Sequence, residues 1–246
     1  MTLAAALLVV GVASLVIPWQ TLQANRYAGR ARVDWTQGLS AETISAAGTA
    51  VAFDPGRAEY WNWLGLGFDQ AGVPRSAGDA FEEATRRAPH EARYWLNLAL
   101  ARARQALAGD DREVAQPAAL AAAARAVAAD PYAPGFNEGL TDIALQLGDF
   151  DVAFRSAVTN TLVHEGYGPA GYEAFLISQR VSDLPSAREV LNNAIAVRDT
   201  AQFRLALAEI ALRMNDRVTA RTNALRALQL KPGDVDALQL LTQSEH

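Results

Sequence analysis

Residues 60–64 of the chain read Tyr-Trp-Asn-Trp-Leu, and residues 94–98 read Tyr-Trp-Leu-Asn-Leu, so an aromatic pair returns after 34 residues. Pro55 returns as Pro89 at the same offset. The chain has 246 residues, half of them hydrophobic, and Ala and Leu dominate, which favours helix over strand. A repeat of this length in such a composition predicts an all-α protein built from stacked pairs of helices.

The spacing inside one repeat supports this prediction. A large apolar residue, a small one and an aromatic one lie on the first helix, and alanines, a phenylalanine and a closing proline follow on the second: Trp61, Leu64, Gly65, Phe68, Ala77, Phe81, Ala84 and Pro89. Large side chains fill the space between helices, small ones let the helices approach, and proline ends the second helix. The pattern therefore predicts that Trp61 and Trp95 are largely buried between helices.

These residues resemble the repeat motif of the tetratricopeptide-repeat superfamily, with Phe68 in place of the usual tyrosine. The resemblance is strong over residues 58–133 and looser over the rest of residues 24–246. It implies a right-handed α-solenoid over residues 23–246, with about six helix pairs and a capping helix from Val235 to about Gln243. The stability of such a fold comes from stacking, because no single helix can bury its apolar side alone.

Three local features follow from the same pattern. Gly38 and Gly72 are predicted to lie at the turns between paired helices, where a left-handed backbone is needed. Residues 109–117, the surplus of the third pair, are predicted to form a surface loop. The alanine-rich helix after them, residues 118–129, is expected to let its neighbours pack closely.

The N-terminal segment predicts a membrane anchor. Residues 1–19 carry no charged side chain, and residues 3–22 are long enough as a helix to cross about 30 Å of hydrocarbon. A cleaved signal peptide would begin with Lys or Arg and end in small residues, and neither feature is present. We therefore predict a single-pass transmembrane helix at residues 1–22, in contact with membrane lipid, with a signal peptide or a helix buried in a partner as alternatives. The first solenoid helix, residues 20–37, is expected to run straight on from it.

The side of the membrane stays open at this stage. Arg26, Arg30 and Arg32 follow the anchor and no basic side chain precedes it, which by the positive-inside rule places the solenoid in the cytoplasm. The apolar helix that runs into Trp19, Ala24 and Arg26 and then into repeats also resembles the C-terminal region of O-antigen ligase-type membrane proteins. This second resemblance implies the opposite face, and it slightly favours an extracytoplasmic (periplasmic or external) solenoid.

Several kinds of chemistry are disfavoured by composition. With 22 basic and 27 acidic residues the net charge is −5, which argues against nucleic acid as a partner. The chain has no cysteine, and its three histidines lack the spacing of metal ligands. Glycine-rich phosphate-binding and nucleophile motifs do not occur. We therefore expect no enzymatic activity, no cofactor and no metal site.

The tetratricopeptide resemblance implies that the first helix of each pair lines a concave surface that binds protein partners. Asn62 and Asp69 are predicted to lie on the exposed side of one such helix, and Arg93 and Asn97 on the next. Trp63 is predicted to be a further surface contact that points elsewhere. Five more side chains are expected on the concave surface: Glu59, Leu66, Gln70, Leu96 and Leu100.

Two functions of different class remain. The first is a membrane-anchored scaffold or assembly subunit that binds partner proteins, among them a membrane complex. The alternative is an accessory or C-terminal part of O-antigen ligase-type envelope polysaccharide machinery, without the catalytic membrane portion of those enzymes.

Overall fold

In a computed structural model of the protein, the described part of the chain comprises residues 3–163 and 168–245, with side chains described for residues 19–163 and 171–245. Within these ranges the secondary structure consists of thirteen α-helices and contains no strand, which confirms the all-α class. Thirteen helices also match the predicted six pairs plus a capping helix. The helices are α1 Leu3–Thr36, α2 Ser40–Phe53, α3 Ala58–Gln70, α4 Pro74–Arg87, α5 Ala92–Leu107, α6 Arg112–Ala129, α7 Pro134–Leu147, α8 Phe150–Val163, α9 Gly168–Ser178, α10 Leu184–Val197, α11 Ala201–Arg213, α12 Arg217–Leu230 and α13 Val235–Glu245.

The chain divides into two compact units, Met1–Ala129 and Asp130–His246. In the first unit each helix packs against the next one along the chain, and α1 also contacts α3. Gly38 and Gly72 have positive φ angles of 78° and 72°, as predicted for the turns between paired helices. The chain therefore reverses direction at both glycines without strain on a side chain.

Small side chains bring the helices of the first unit close together. A Cβ atom on Gly65 would lie only 2.6 Å from Cδ1 and Cε1 of Phe81, a ring that is 1% exposed. Alanines form most of the remaining contact surface, including Ala24, Ala47 and Ala50, each 0% exposed. The glycine and alanine positions of the repeat thus act as predicted, because they let α3 and α4 approach at van der Waals distance.

The prediction that Trp61 and Trp95 are largely buried holds only in part, since both are partly exposed and neither belongs to the fully buried core. The buried aromatic is the preceding residue, Tyr60, at 0% exposure, and its hydroxyl donates to Oδ1 of Asn25 at 2.7 Å. Adjacent residues on a helix point about 100° apart, so only one member of the Tyr-Trp pair can face the core.

The two tryptophans instead join the start of each helix to the segment before it. Trp61 Nε1 donates to the carbonyl of Pro55 at 2.9 Å, and Trp95 Nε1 donates to the carbonyl of Pro89 at the same distance. The guanidinium of Arg87 lies 4.7 Å from the centre of the Trp61 ring. The same hydrogen bond therefore recurs one repeat later in the same geometry.

The predicted surface loop at residues 109–117 is also wrong, because α6 already begins at Arg112 and contains Pro117. The turn is short because Gly109 and Asp111 both adopt positive φ, at 79° and 56°. Arg75 holds the turn through ion pairs to Asp110 at 3.2 Å and to Asp111 at 3.4 Å. Pro117 lacks the N–H that would donate to the carbonyl of Glu113, and α6 continues past it to Ala129.

The second unit is built on larger side chains. Its largest fully buried residues include Phe154, Ile143, Leu191, Phe203 and Ile210. Five of its helices begin with a side chain that accepts a hydrogen bond from the backbone of the first turn: Asp149 for α8, Asp183 for α10, Thr200 for α11, Asp216 for α12 and Asp234 for α13. These caps satisfy donors that would otherwise lack partners and so fix where each helix starts.

The expected continuity at the N-terminus is confirmed, because α1 is a single helix from Leu3 to Thr36. Among the residues whose side chains are described, no helix is both long enough and apolar enough to cross a membrane. Residues 1–18, which make up most of the predicted anchor at residues 1–22, lie outside the part of the chain whose side chains are described. The anchor stays a prediction.

Candidate functional site: a cleft between α3 and α5

A cleft of about 680 Å³ lies in the first unit, between the first helices of two neighbouring pairs and the end of α1. We call it the α3–α5 cleft. Its lining residues are Trp35, Glu59, Asn62, Trp63, Leu66, Arg93, Tyr94, Leu96 and Asn97. Four of the five predicted binding residues, all except Asp69, therefore lie around one cleft.

The cleft is crossed by a pair of asparagines from the two helices. Nδ2 of Asn97 on α5 donates to Oδ1 of Asn62 on α3 at 2.9 Å. The two residues are 35 apart in sequence, which places them at nearly equivalent positions of successive repeats. Each carboxamide keeps further hydrogen-bonding capacity, since Asn62 retains its NH₂ group and Asn97 retains its carbonyl oxygen.

Two tryptophans form the apolar part of the cleft. The rings of Trp35 and Trp63 meet edge to face, with centres 5.8 Å apart and planes at 62°. Trp63 Nε1 also faces the carboxylate of Glu59 at 3.4 Å. Trp63 thus lies in the same cleft as the asparagines and does not point elsewhere, because α1 ends beside α3 and brings Trp35 against it.

Arg93 supplies positive charge at the cleft. Its side chain is 75% exposed and pairs with Glu91 at 3.1 Å, a contact between two exposed groups that costs little to break. Glu59 is an exposed acid in the same lining. Burial raises the pKa of Tyr94, and the charge of Glu59 raises it further. The cleft therefore offers charges of both signs beside apolar rings.

Asp69 has a different role from the one predicted. Its carboxylate is paired with Arg104 of α5, and it does not line the cleft. Gln70 donates from Nε2 to the backbone carbonyl of Trp35 at 3.2 Å, which ties α3 to the end of α1. Trp35 and Tyr94 are lining residues that sequence reasoning missed. The signal for Trp35 was an aromatic residue near the end of the first solenoid helix, residues 20–37.

Two helices of the second unit, α7 and α9, carry acidic side chains whose charged form is disfavoured by burial and by neighbouring carboxylates. Burial raises the pKa of Glu173 on α9, and the nearby carboxylates of Asp142 and Glu138 raise it further. Burial, followed by the charge of Glu138, raises the pKa of Asp142 on α7. Among the described residues, no group of three or more His, Asp or Glu side chains is placed to hold a metal ion.

We expect Glu173→Gln to raise the melting temperature at about pH 7 and to leave it nearly unchanged at about pH 4. A carboxyl with a raised pKa holds its proton more tightly in the folded chain than in the unfolded chain. Its contribution to stability is therefore full below the unfolded pKa and is lost as the pH rises through the folded pKa. Thermal melts at both pH values test this, with Glu189→Gln, at an exposed position of α10, as control. An unchanged or lower melting temperature of Glu173→Gln at neutral pH would show that the charge is not unfavourable.

The chain is similar in fold to several solved structures. The chain is similar to a tetratricopeptide repeat protein from Parabacteroides merdae, with a TM-score of 0.53 and 12% identity over 92% of this chain and 100% of that one. It is similar to the MamA protein, with a TM-score of 0.53 and 18% identity over 72% of this chain and 92% of that one. It is also similar to pilF of Pseudomonas aeruginosa, with a TM-score of 0.50 and 18% identity over 92% of this chain and 99% of that one. No protein-family model and no curated protein matches the sequence.

At these identities the likeness concerns the fold alone. The class it defines is that of proteins built from stacked helical hairpins. Within that class, the repeat length and the Gly65–Phe81 contact agree with the structural likeness, and the fold is that of the tetratricopeptide repeat.

Proposed function

We propose that the protein is an interaction scaffold that binds an extended segment of a partner protein in the α3–α5 cleft. The observation that carries the proposal is the Asn62–Asn97 pair, set between the two tryptophans and the charges of Glu59 and Arg93. The tetratricopeptide fold supports it, because stacked repeats present extended surfaces to other proteins.

The asparagine pair suits a peptide backbone. An extended peptide offers one N–H donor and one C=O acceptor at each residue other than proline. The carbonyl oxygen of Asn97 can accept from such an N–H, and the NH₂ group of Asn62 can donate to such a C=O. These contacts recognise the chain without selecting its sequence.

Side-chain selection would come from the rest of the cleft. Trp35, Trp63 and Leu66 form an apolar wall that suits an aliphatic or aromatic residue of the partner. Arg93 can exchange its exposed contact with Glu91 for an acidic residue of the partner, since exposed ion pairs are worth about 0–1 kcal/mol. We therefore expect a partner segment with one large apolar residue close to one acidic residue.

Double substitution Asn62→Ala with Asn97→Ala should weaken partner binding about 10- to 100-fold, because two hydrogen bonds of about 0.5–1.5 kcal/mol each are lost. The partner is first captured by the full-length chain from solubilised membranes and identified. Its affinity for the wild type and the variant is then measured.

Asp69→Ala is the matched control, because it removes a polar side chain of α3 that lies outside the cleft. Its binding should equal that of the wild type, and its stability should change by less than about 1 kcal/mol, the usual worth of a surface ion pair. Unchanged affinity of the double asparagine variant would mean that the partner binds another face. In that case residues 109–117 become the better candidate.

We further propose that residues 1–22 anchor the scaffold in a membrane as a single-pass helix. Residues 1–22 carry no charged side chain, and α1 runs on from them without a break into the first helix pair; both features support the proposal. Complete extraction by high salt without detergent would overturn it, as would a mature N-terminus near residue 25. Protease protection in sealed vesicles would assign the side of the solenoid, for which the ligase resemblance favours the extracytoplasmic face.

An accessory role in envelope polysaccharide machinery is the second candidate, and it rests on the sequence resemblance alone. Neighbouring genes discriminate between the two functions at low cost. Polysaccharide genes favour the second candidate, and genes of a membrane protein complex favour the first.

A further inference from the structure

A second cavity, of about 570 Å³, opens between α4, α5 and α6 of the first unit. It shares no lining residue with the α3–α5 cleft. Its lining residues are Glu82, Thr85, Arg86, Pro89, Trp95, Leu98, Arg102, Ala118, Ala121, Ala122 and Arg125. The volume lies within the range of about 300–1,000 Å³ that is usual for small-molecule sites.

The cavity exists because one wall is made of alanine. Helix α6 packs against α5, and Ala118, Ala121 and Ala122 face the cavity with a single methyl group each. Trp95 and Leu98 of α5 form the rest of the apolar surface. The close packing expected of the alanine-rich helix is thus seen on its α5 side, and the same small side chains leave space beside α4.

Three arginines lie at the rim of the cavity, and they differ in whether a carboxylate pairs with them. Arg86 pairs with Glu83 at 2.5 Å, and Arg102 pairs with Glu82 at 3.1 Å. Arg125 has no hydrogen bond or ion pair to any residue whose side chain the structure describes. The exposed guanidinium of Arg125 is therefore a positive charge at the rim of the cavity that no described side chain pairs with.

We infer that this cavity binds a linear aliphatic carboxylate, with the chain against the alanine wall and the carboxylate on Arg125. A guanidinium group matches a carboxylate through two parallel hydrogen bonds, which gives geometric as well as charge complementarity. The single unpaired guanidinium of Arg125 is best matched by a ligand that carries a single negative charge. A phosphate monoester, with about −1.5 to −2 charges at neutral pH, would be matched less well.

The probe is octanoate, titrated calorimetrically into the full-length chain held in lipid nanodiscs, with empty nanodiscs as reference. Arg125→Gln should weaken octanoate binding about tenfold and leave 1-octanol binding unchanged, because only the charged head group loses its partner. Ala121→Phe, at an exposed position, should abolish the binding of both compounds by filling the cavity. Octyl phosphate should bind more weakly than octanoate.

Two control variants test whether octanoate binds specifically in this cavity. Arg112→Gln removes an exposed arginine of the same helix that does not line the cavity, and it should leave octanoate binding unchanged. The Asn62→Ala and Asn97→Ala pair should also leave it unchanged, so failure of the proposed function and failure of this inference give different results. The inference is overturned if octanoate shows no heat above the nanodisc reference, if Arg125→Gln and Ala121→Phe bind it like the wild type, or if octyl phosphate binds more tightly.

Discussion

Phe81→Ala is expected to lower the free energy of unfolding by about 3–5 kcal/mol, the usual range for deleting a fully buried aromatic ring. Phe81 lies on α4 at 1% exposure and touches α3 at Gly65. The two helices are held at a distance set by this ring, so they cannot close over the space it leaves without losing other contacts. Urea denaturation of the full-length chain, followed by circular dichroism, measures the change.

Trp61→Ala is the matched control, because it deletes a larger ring that is only half-buried. We expect a smaller loss than for Phe81→Ala, since part of the apolar surface of Trp61 already contacts water in the folded state. The sequence motif alone would assign Trp61 the larger loss. Equal losses for the two variants would contradict the assignment of Phe81, and not Trp61, to the core.

The second large effect is expected at Gly65. Alanine is the better helix former by about 1 kcal/mol, so an unobstructed helical glycine gains stability on substitution. At Gly65 the added Cβ would lie 2.6 Å from two carbons of the Phe81 ring, so the ring or the helix must move. We expect Gly65→Ala to destabilise the protein by about 1–3 kcal/mol, the range for overpacking a core.

A double-mutant cycle isolates the cause of the Gly65→Ala effect. In a Phe81→Ala background the same substitution should be neutral or stabilising, which gives a coupling energy of about 1–3 kcal/mol. At Gly48 of α2 an added Cβ would meet no atom within 4 Å, so Gly48→Ala should stabilise the chain. A destabilised Gly48→Ala variant would instead point to helix geometry as the cause at both sites.

The repeat could be predicted from sequence because its period appears in glycines, alanines and large aromatic residues, whose sizes decide how closely two helices pack. Gly65 and Phe81 form one complementary contact, and a sequence that keeps both at fixed spacing predicts the helix pair around them. The turn glycines were predictable for the same reason. The capping helix, predicted from Val235 to about Gln243, is observed as Val235–Glu245, because the proline and the short polar segment before it mark where it starts.

Which aromatic of the pair is buried could not be read from the period. Tyr60 and Trp61 recur together at the same offset, so the repeat treats them alike. The choice depends on Asn25 of α1, which receives the Tyr60 hydroxyl, and on the Pro55 carbonyl, which receives the Trp61 indole. Asn25 is 35 residues from Tyr60, so this partner becomes visible only once the helices are packed.

The two cavities also differ in how far the sequence predicts them. Helix periodicity placed Asn62, Arg93 and Asn97 on the exposed faces of α3 and α5, and the structure places them around the α3–α5 cleft, while Asp69 lies outside it. Trp35 lines the α3–α5 cleft because α1 packs against α3. The sequence pattern of the first helix pair did not predict this packing. The second cavity joins side chains from Glu82 to Arg125, and it arises from what the alanines of α6 leave unfilled.

Helix α1 continues without interruption from Leu3 into the first helix pair. The number of residues in α1 therefore sets the rotation of the repeats about the axis of α1. Each residue inserted near position 20 would rotate the repeats by about 100° about the axis of α1 and advance them by about 1.5 Å. Seven inserted residues would restore the original heading to within about 20°. The direction in which the α3–α5 cleft faces, relative to the N-terminal half of α1, therefore depends on the number of residues in α1.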